Sequence, residues 1–134
     1  MTTLCTLKTV KATTLVALIA LTLGCGYSKK TMPVQPGAMP AIAQLNPASA
    51  TTAASFLLEV DGTNFAAKAV INFNGAAMTT TEVNSTKLQA TIPASAVMNT
   101  GSVPVTVTNP AVSGGVYGGG TAAETSSPMD FTIN

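Results

Sequence analysis

The chain contains no histidine and no tryptophan, and all six of its cationic side chains are lysines. Each absence removes a class of chemistry. Without histidine there is no base for a Ser-His or Cys-His nucleophile. Two cysteines, Cys5 and Cys25, do not supply the nitrogen and sulfur set of the usual zinc site. Without arginine, and with its lysines scattered, the chain offers no basic cluster of the kind a phosphate backbone requires, so no nucleic-acid partner is expected. No cofactor is expected either. Charged residues make up only 8% of the 134 residues. The apolar stretch near the start, residues 12–23, is too short to span a bilayer, which takes about 20 residues.

What is present begins with that stretch. Lys8 and Lys11 precede it, and Gly24 and Cys25 follow it, which is the layout of a secretory leader: a positive n-region, a short apolar h-region, then a small residue. The run Leu21-Thr22-Leu23-Gly24-Cys25 resembles the lipobox of bacterial lipoprotein precursors, in which a diacylglycerol is joined to the cysteine by a thioether before cleavage ahead of it. One position departs from that pattern: Thr22 stands where the family prefers leucine, with Leu21 and Leu23 on either side. An ordinary secreted protein and an uncleaved anchor remain alternative readings of the same segment. The resemblance implies a signal peptide at 1–24, a membrane as partner through acyl chains on Cys25, and a bacterial cell-envelope location. Gly26 is not the aspartate associated with inner-membrane retention in some bacteria, which favours the outer membrane.

Cleavage before Cys25 would remove Cys5 and leave one cysteine blocked by lipid, so the folded part would rely on its core without a disulfide. The processed chain would keep four lysines against five acids, a net charge near −1. Residues 26–40, with Pro33, Pro36, Gly37 and Pro40, read as a flexible tether, because proline denies backbone donors and the segment has no periodicity. Such a tether spans at most about 50 Å extended and roughly 20 Å on average.

From residue 41 onward the pattern repeats every two residues. Phe56, Leu58 and Val60 alternate with Ser55, Leu57, Glu59 and Asp61; Leu88, Ala90 and Ile92 with Lys87, Gln89 and Thr91; Val103, Val105 and Val107 with Pro104, Thr106 and Thr108; Met129, Phe131 and Ile133 with Pro128, Asp130 and Thr132. Alternation of this kind buries one face of a strand and wets the other. Further strands are expected at 41–46, 69–74 and 80–83. Asn46-Pro47 and Asn109-Pro110 would close strands. Asp61-Gly62 and Asn74-Gly75 would make tight connections. Residues 93–98 would form one helical turn that packs Val97 or Met98 under the sandwich, and Pro104 implies an edge or a bulge in its strand. The whole predicts an all-β fold, an antiparallel β-sandwich of about seven strands.

These elements resemble, in order, those of IPT/TIG domains, immunoglobulin-like modules shared with plexins and some transcription factors. The string Ile42-Ala43-Gln44-Leu45-Asn46-Pro47-Ala48-Ser49-Ala50 is similar to the opening strand and turn. Val60-Asp61-Gly62-Thr63-Asn64-Phe65 resembles the turn after the second strand, and Val70-Ile71-Asn72-Phe73-Asn74-Gly75 the next strand and turn. Leu88-Gln89-Ala90-Thr91-Ile92-Pro93, the stretch from Val103 to Pro110, and Phe131-Thr132-Ile133 resemble later strands. The resemblance covers residues 41–134 and implies an immunoglobulin-like sandwich of E-set type. It departs at 111–127, which is longer than the family's usual Gly-rich connection.

Candidate chemistry is sparse. Glu59 and Asp61 share an outward strand face with Cα atoms about 6.5–7 Å apart, but a solvated pair is not activated for acid–base work, and an enzyme is not expected. The run Gly114-Gly115-Val116-Tyr117-Gly118-Gly119-Gly120 lacks the Gly-Lys-Ser/Thr ending of a phosphate loop. Two readings of it remain: a flexible hairpin extension, or a mobile loop carrying Tyr117 as a recognition residue. Asp61, Asn64, Asn74 and Asp130 are oxygen donors near turns without the dense spacing of a calcium loop, and no metal is expected. Asn84-Ser85-Thr86 reads as a turn. The expected function is a non-enzymatic envelope lipoprotein that displays one immunoglobulin-like module to a protein or polysaccharide. Tyr117, Gly115, Gly118 and Asn64 are the candidate contacts. A structural spacer and a carbohydrate-binding module are the alternatives.

Overall fold

A computed structural model describes residues 32–134; the predicted leader, Cys25 and the first part of the predicted tether lie outside the described residues. The strands are β1 (Ala41–Asn46), β2 (Ser49–Ala50), β3 (Phe56–Thr63), β4 (Val70–Phe73), β5 (Ala76–Ala77) and β6 (Thr80–Asn84). They continue with β7 (Lys87–Ile92), β8 (Gly101–Asn109), β9 (Val112–Gly115), β10 (Gly118–Thr121), β11 (Glu124–Thr125) and β12 (Met129–Ile133). One sheet runs β1-β3-β7-β6, antiparallel throughout. The other runs β2-β12-β8-β4-β5, with β11 paired to β8, and its only parallel pairing among the described residues is β2 with β12. The predicted all-β immunoglobulin-like sandwich is the fold.

The core forms where the inward phases of the two sheets meet. Leu58, Val60, Leu88, Ala90 and Ile92 come from one sheet, and Ile71, Phe73, Val105, Val107, Phe131 and Ile133 from the other; all are buried. These are the positions that the period of two assigns to one face. Phe131 is the centre of an aromatic cluster. Its ring stacks on Phe56 at a centroid distance of 5.2 Å and meets Phe73 edge-on at 5.4 Å. The turn at 93–98 is a 3₁₀ helix, Ala94–Val97, and it is Val97 that it buries, leaving Met98 exposed.

Two expectations give way. Asp61-Gly62 is not a connection: both residues lie inside β3. Gly62 is required there for another reason, because a Cβ would run into the Ala41 carbonyl oxygen of β1 and the ring of Phe65. The turn comes two residues later, at Asn64 (φ 60). Asn74-Gly75 does form the tight connection expected of it, with both residues at positive φ (51° and 79°) between Phe73 and Ala76, as a two-residue hairpin requires.

Pro104, by contrast, does not mark an edge strand or a bulge, because β8 lies between β12 and β4. The Pro104 carbonyl accepts from the Asn74 amide at 2.9 Å, one residue past the end of β4. In an antiparallel ladder the N and C=O of one residue face the same side. The missing donor therefore points to where β4 has already turned away. In the other sheet the edge strands β1 and β6 each carry a register irregularity, between Ile42 and Gln44 and between Glu82 and Asn84, a feature that discourages edge-to-edge pairing.

Candidate functional site

Among the described residues the buried polar side chains, Asn109 and Ser126, both lie toward the end where β8 finishes. Asn109 continues the inward phase of Val105 and Val107 and is buried like them. Its side-chain oxygen accepts from the Ala66 amide at 2.9 Å, and its side-chain nitrogen donates to the carbonyls of Ala38 and Asn64, both at 2.8 Å. One side chain thus ties the incoming N-terminal segment and the 64–66 turn to the end of the central strand. A buried polar group is stable only when its bonds are made, and here they are. The signal was present in the sequence as a polar residue on the apolar phase of a strand; only its partners were not.

The Gly-rich run is a paired hairpin. Gly118 of β10 pairs with Gly115 of β9, and Thr121 with Val112. Val116 and Tyr117 form the tip, with Val116 99% and Tyr117 87% exposed. Neither tip residue takes a positive φ; Gly118 does, at 84°. It supplies the left-handed residue that side-chain-bearing residues avoid.

Along the hairpin runs a strap, residues 32–38. Met32 bridges to Gly118 and Gln35 to Thr121, both in parallel sense. The Gln35 amide donates to Gly120 O at 3.0 Å, and the Ala122 amide donates to Gln35 O at 2.9 Å. Pro40 is fully buried. The segment expected to be tether as far as residue 40 is therefore docked on the module from Met32 on. Asn64, a candidate contact, uses its side-chain nitrogen to donate to the Met39 carbonyl at 3.3 Å. Tyr117, Gly115 and Gly118 share the hairpin, and Asn64 lies at the same end, bonded to the chain just after the strap.

The carboxylate pair has a different fate. The Lys87 ammonium lies 2.6 Å from Glu59 Oε1 and 3.4 Å from Asp61 Oδ1, and the Gln89 amide donates to Glu59 Oε2 at 2.9 Å. The hydrogen bond from Lys87, helped by the one from Gln89, holds the Glu59 carboxyl below its ordinary value, and the bond to Glu59 holds the Lys87 ammonium above its own. A glutamate kept ionised in this way is a poor proton donor. A pH dependence follows. A depressed acid contributes stability above its unfolded pKa and loses it as pH falls through the lower folded value. A raised lysine contributes below its unfolded pKa and loses it as pH rises through the higher folded value. The pair therefore supports the fold across the neutral range, modestly, because both side chains are partly exposed and screened. In urea denaturation across pH, Glu59→Gln should flatten the acid limb of the stability curve; an unchanged acid limb would show that Glu59 contributes nothing there.

Two shallow depressions accompany these features. One of about 290 Å³ lies between Phe73, Asn74, Ser95 and Met98, and one of about 370 Å³ between Met39, Ile42, Pro128 and Met129. Among the described residues, no ionisable side chain lines either. The four oxygen donors considered for calcium do not converge: Asp61 lies across from Gln44 of β1 and beside Lys87, Asn64 at the strap end, Asn74 at the opposite end of the sandwich, and Asp130 across from Pro104. Among the described residues no group of three acidic, histidine or cysteine side chains is placed to hold a metal. Asn84 forms the turn expected of it, its side-chain oxygen accepting from both the amide and the hydroxyl of Thr86 at 2.8 Å.

No curated protein matches the chain. Among solved structures it is similar to part of a candidate phosphatase from Bacteroides thetaiotaomicron VPI-5482, with 21% identity over 72% of this chain and 18% of the other at a TM-score of 0.45. It is also similar to part of an auxiliary nutrient binding protein from Bacteroides ovatus ATCC 8483, with 19% identity over 77% of this chain and 22% of the other at a TM-score of 0.46. The chain spans about a fifth of the length of each. The IPT/TIG domain model matches residues 40–133, from the buried Pro40 through the last core strand, and the chain belongs to the IPT/TIG domain family.

Proposed function

We propose that this protein is a non-enzymatic lipoprotein of the bacterial cell envelope that displays an IPT/TIG module for interaction with a protein or a glycan. The observation that supports it is the junction Leu21-Thr22-Leu23-Gly24-Cys25 behind a short apolar stretch, with the IPT/TIG module following at residues 40–133. The physical role of each part is simple. Acyl chains on Cys25 hold the protein at a lipid surface, where two or more chains give stable anchoring and one does not. The sandwich provides a rigid body whose loops and depressions meet a partner. Of the two carboxylates that share one strand face, Glu59 is held ionised by Lys87, which favours recognition over catalysis.

Intact-mass measurement of the membrane-extracted protein tests the anchor. The wild-type chain is expected to start at Cys25 and to carry a diacylglycerol-type adduct. Cys25→Ser is expected to lose the adduct and to leave the membrane fraction. Recovery of unmodified wild-type protein in the soluble fraction would overturn the proposal.

A further inference from the structure

We propose that the hairpin tip, Val116 and Tyr117, with Met32 and Val34 of the strap, rests in the headgroup region of the membrane that holds Cys25. The module then stands on that membrane by its strap end and turns the opposite end outward. This rests on the lipid-anchor reading and adds an orientation to it.

The chain geometry carries the argument. Met32 bridges to Gly118, the neighbour of Tyr117, so the point where the described chain begins is also the tip of the hairpin. Only six residues separate Cys25 from Met32, a link of at most about 25 Å fully extended. The Ala94–Val97 turn and Met98, by contrast, lie near Gly101, the far end of β8, some 26 Å from Asn109 at strand rise. A lipid on Cys25 therefore tethers the strap end closely and the other end only at a distance.

Chemistry agrees with the placement. Val116, Tyr117, Met32, Val34 and Val112 are all exposed and apolar, and nothing charged occurs between residues 110 and 121. An uncharged tip bearing tyrosine suits the membrane interface, where an apolar ring with a polar end is favoured. The link itself carries Lys29 and Lys30, which suit an anionic surface. Contact at the tip and tension at Cys25 would together fix a tilt that either alone leaves free. The outward end would then present the depression by Asn74, Ser95 and Met98, and that is the face a partner would meet.

The absence of tryptophan makes the test clean. The full chain with Tyr117→Trp, extracted from the membrane and reconstituted in vesicles of phosphatidylethanolamine and phosphatidylglycerol, carries one indole at the tip; Met98→Trp carries one at the other end. The tip indole is expected to emit at shorter wavelength than the far-end indole and to lose most of its emission when the acyl chains are brominated near the headgroup. The far-end indole should keep its emission. A water-like, unquenched signal from the Tyr117→Trp protein would overturn the orientation, as would stronger quenching of the Met98→Trp protein. The mass of the same samples reads the anchor independently. An adduct on Cys25 with an unquenched tip indole removes the orientation alone, while a quenched tip indole without an adduct supports tip contact and removes the anchor.

Discussion

Phe131→Ala is expected to lower the unfolding free energy by about 3–5 kcal/mol, the range for truncating a buried phenylalanine. Phe131 is fully buried in a central position of its sheet, with Phe56 stacked on one side and Phe73 edge-on at another. Its loss removes the transfer free energy of the ring and the aromatic contacts, worth about 0.5–1.5 kcal/mol per pair beyond burial. It also leaves a hole that neighbours on two rigid sheets cannot close. Against a typical total of about 5–15 kcal/mol, a domain with no disulfide to constrain its unfolded state would be close to unfolding. Urea denaturation followed by circular dichroism measures this, with Tyr117→Ala as the comparison. That residue projects from the hairpin tip, and its truncation should fall within about 0.5 kcal/mol of wild type. A Phe131→Ala cost below that of an ordinary surface change would mean that the core is not organised around this ring.

Asn109→Ala should produce a loss nearly as large, about 2–4 kcal/mol, through a different mechanism. The substitution leaves the Ala66 amide and the carbonyls of Ala38 and Asn64 without their partner, and each buried group so orphaned costs about 1–3 kcal/mol. Water reaching the end of the sandwich would recover part of this. Asn109→Asp should be worse at neutral pH, since a carboxylate gives no donor to two carbonyl oxygens and is costly to bury. Burial would raise the folded pKa of that carboxyl above its unfolded value, so its deficit should shrink as the pH is lowered.

Amide exchange gives a second and more local readout. The Gln35 and Ala122 amides, which hold the strap to the hairpin, should lose protection in Asn109→Ala even where the core strands keep theirs. Equal protection of Gln35 and Ala122 in the variant and the wild type would mean that the strap is held without Asn109.

The consequence for function is that the strap and the hairpin form a single feature. A strap docked from Met32, where a tether as far as residue 40 was expected, fixes residues 32–38 against one end of the sandwich; on the proposed lipid anchor at Cys25, that end would be the one nearer the membrane. Asn109 is the residue through which the core enforces that docking.

Alternation of apolar and polar residues determined which face of each long strand is buried, because a pleated backbone sends successive side chains to opposite sides whatever the strand pairs with. It assigned Leu58, Val60, Leu88, Ile92, Val105, Val107, Phe131 and Ile133 to the core, and local turn chemistry placed the bend at Asn74-Gly75. What the sequence could not encode locally is which segment lies beside which. Asp61-Gly62 has the composition of a turn, yet Gly62 is needed because β1 passes over it. Pro104 has the composition of an edge, yet it sits in an inner strand at the one position where its neighbour has already turned away. The bond from Asn109 to Ala38 joins residues 71 apart, and no periodicity in either segment points to the other. Those choices were made by tertiary packing, where buried polar groups must find partners and close backbones must avoid a Cβ, and both conditions depend on contacts that exist only once the two sheets have closed.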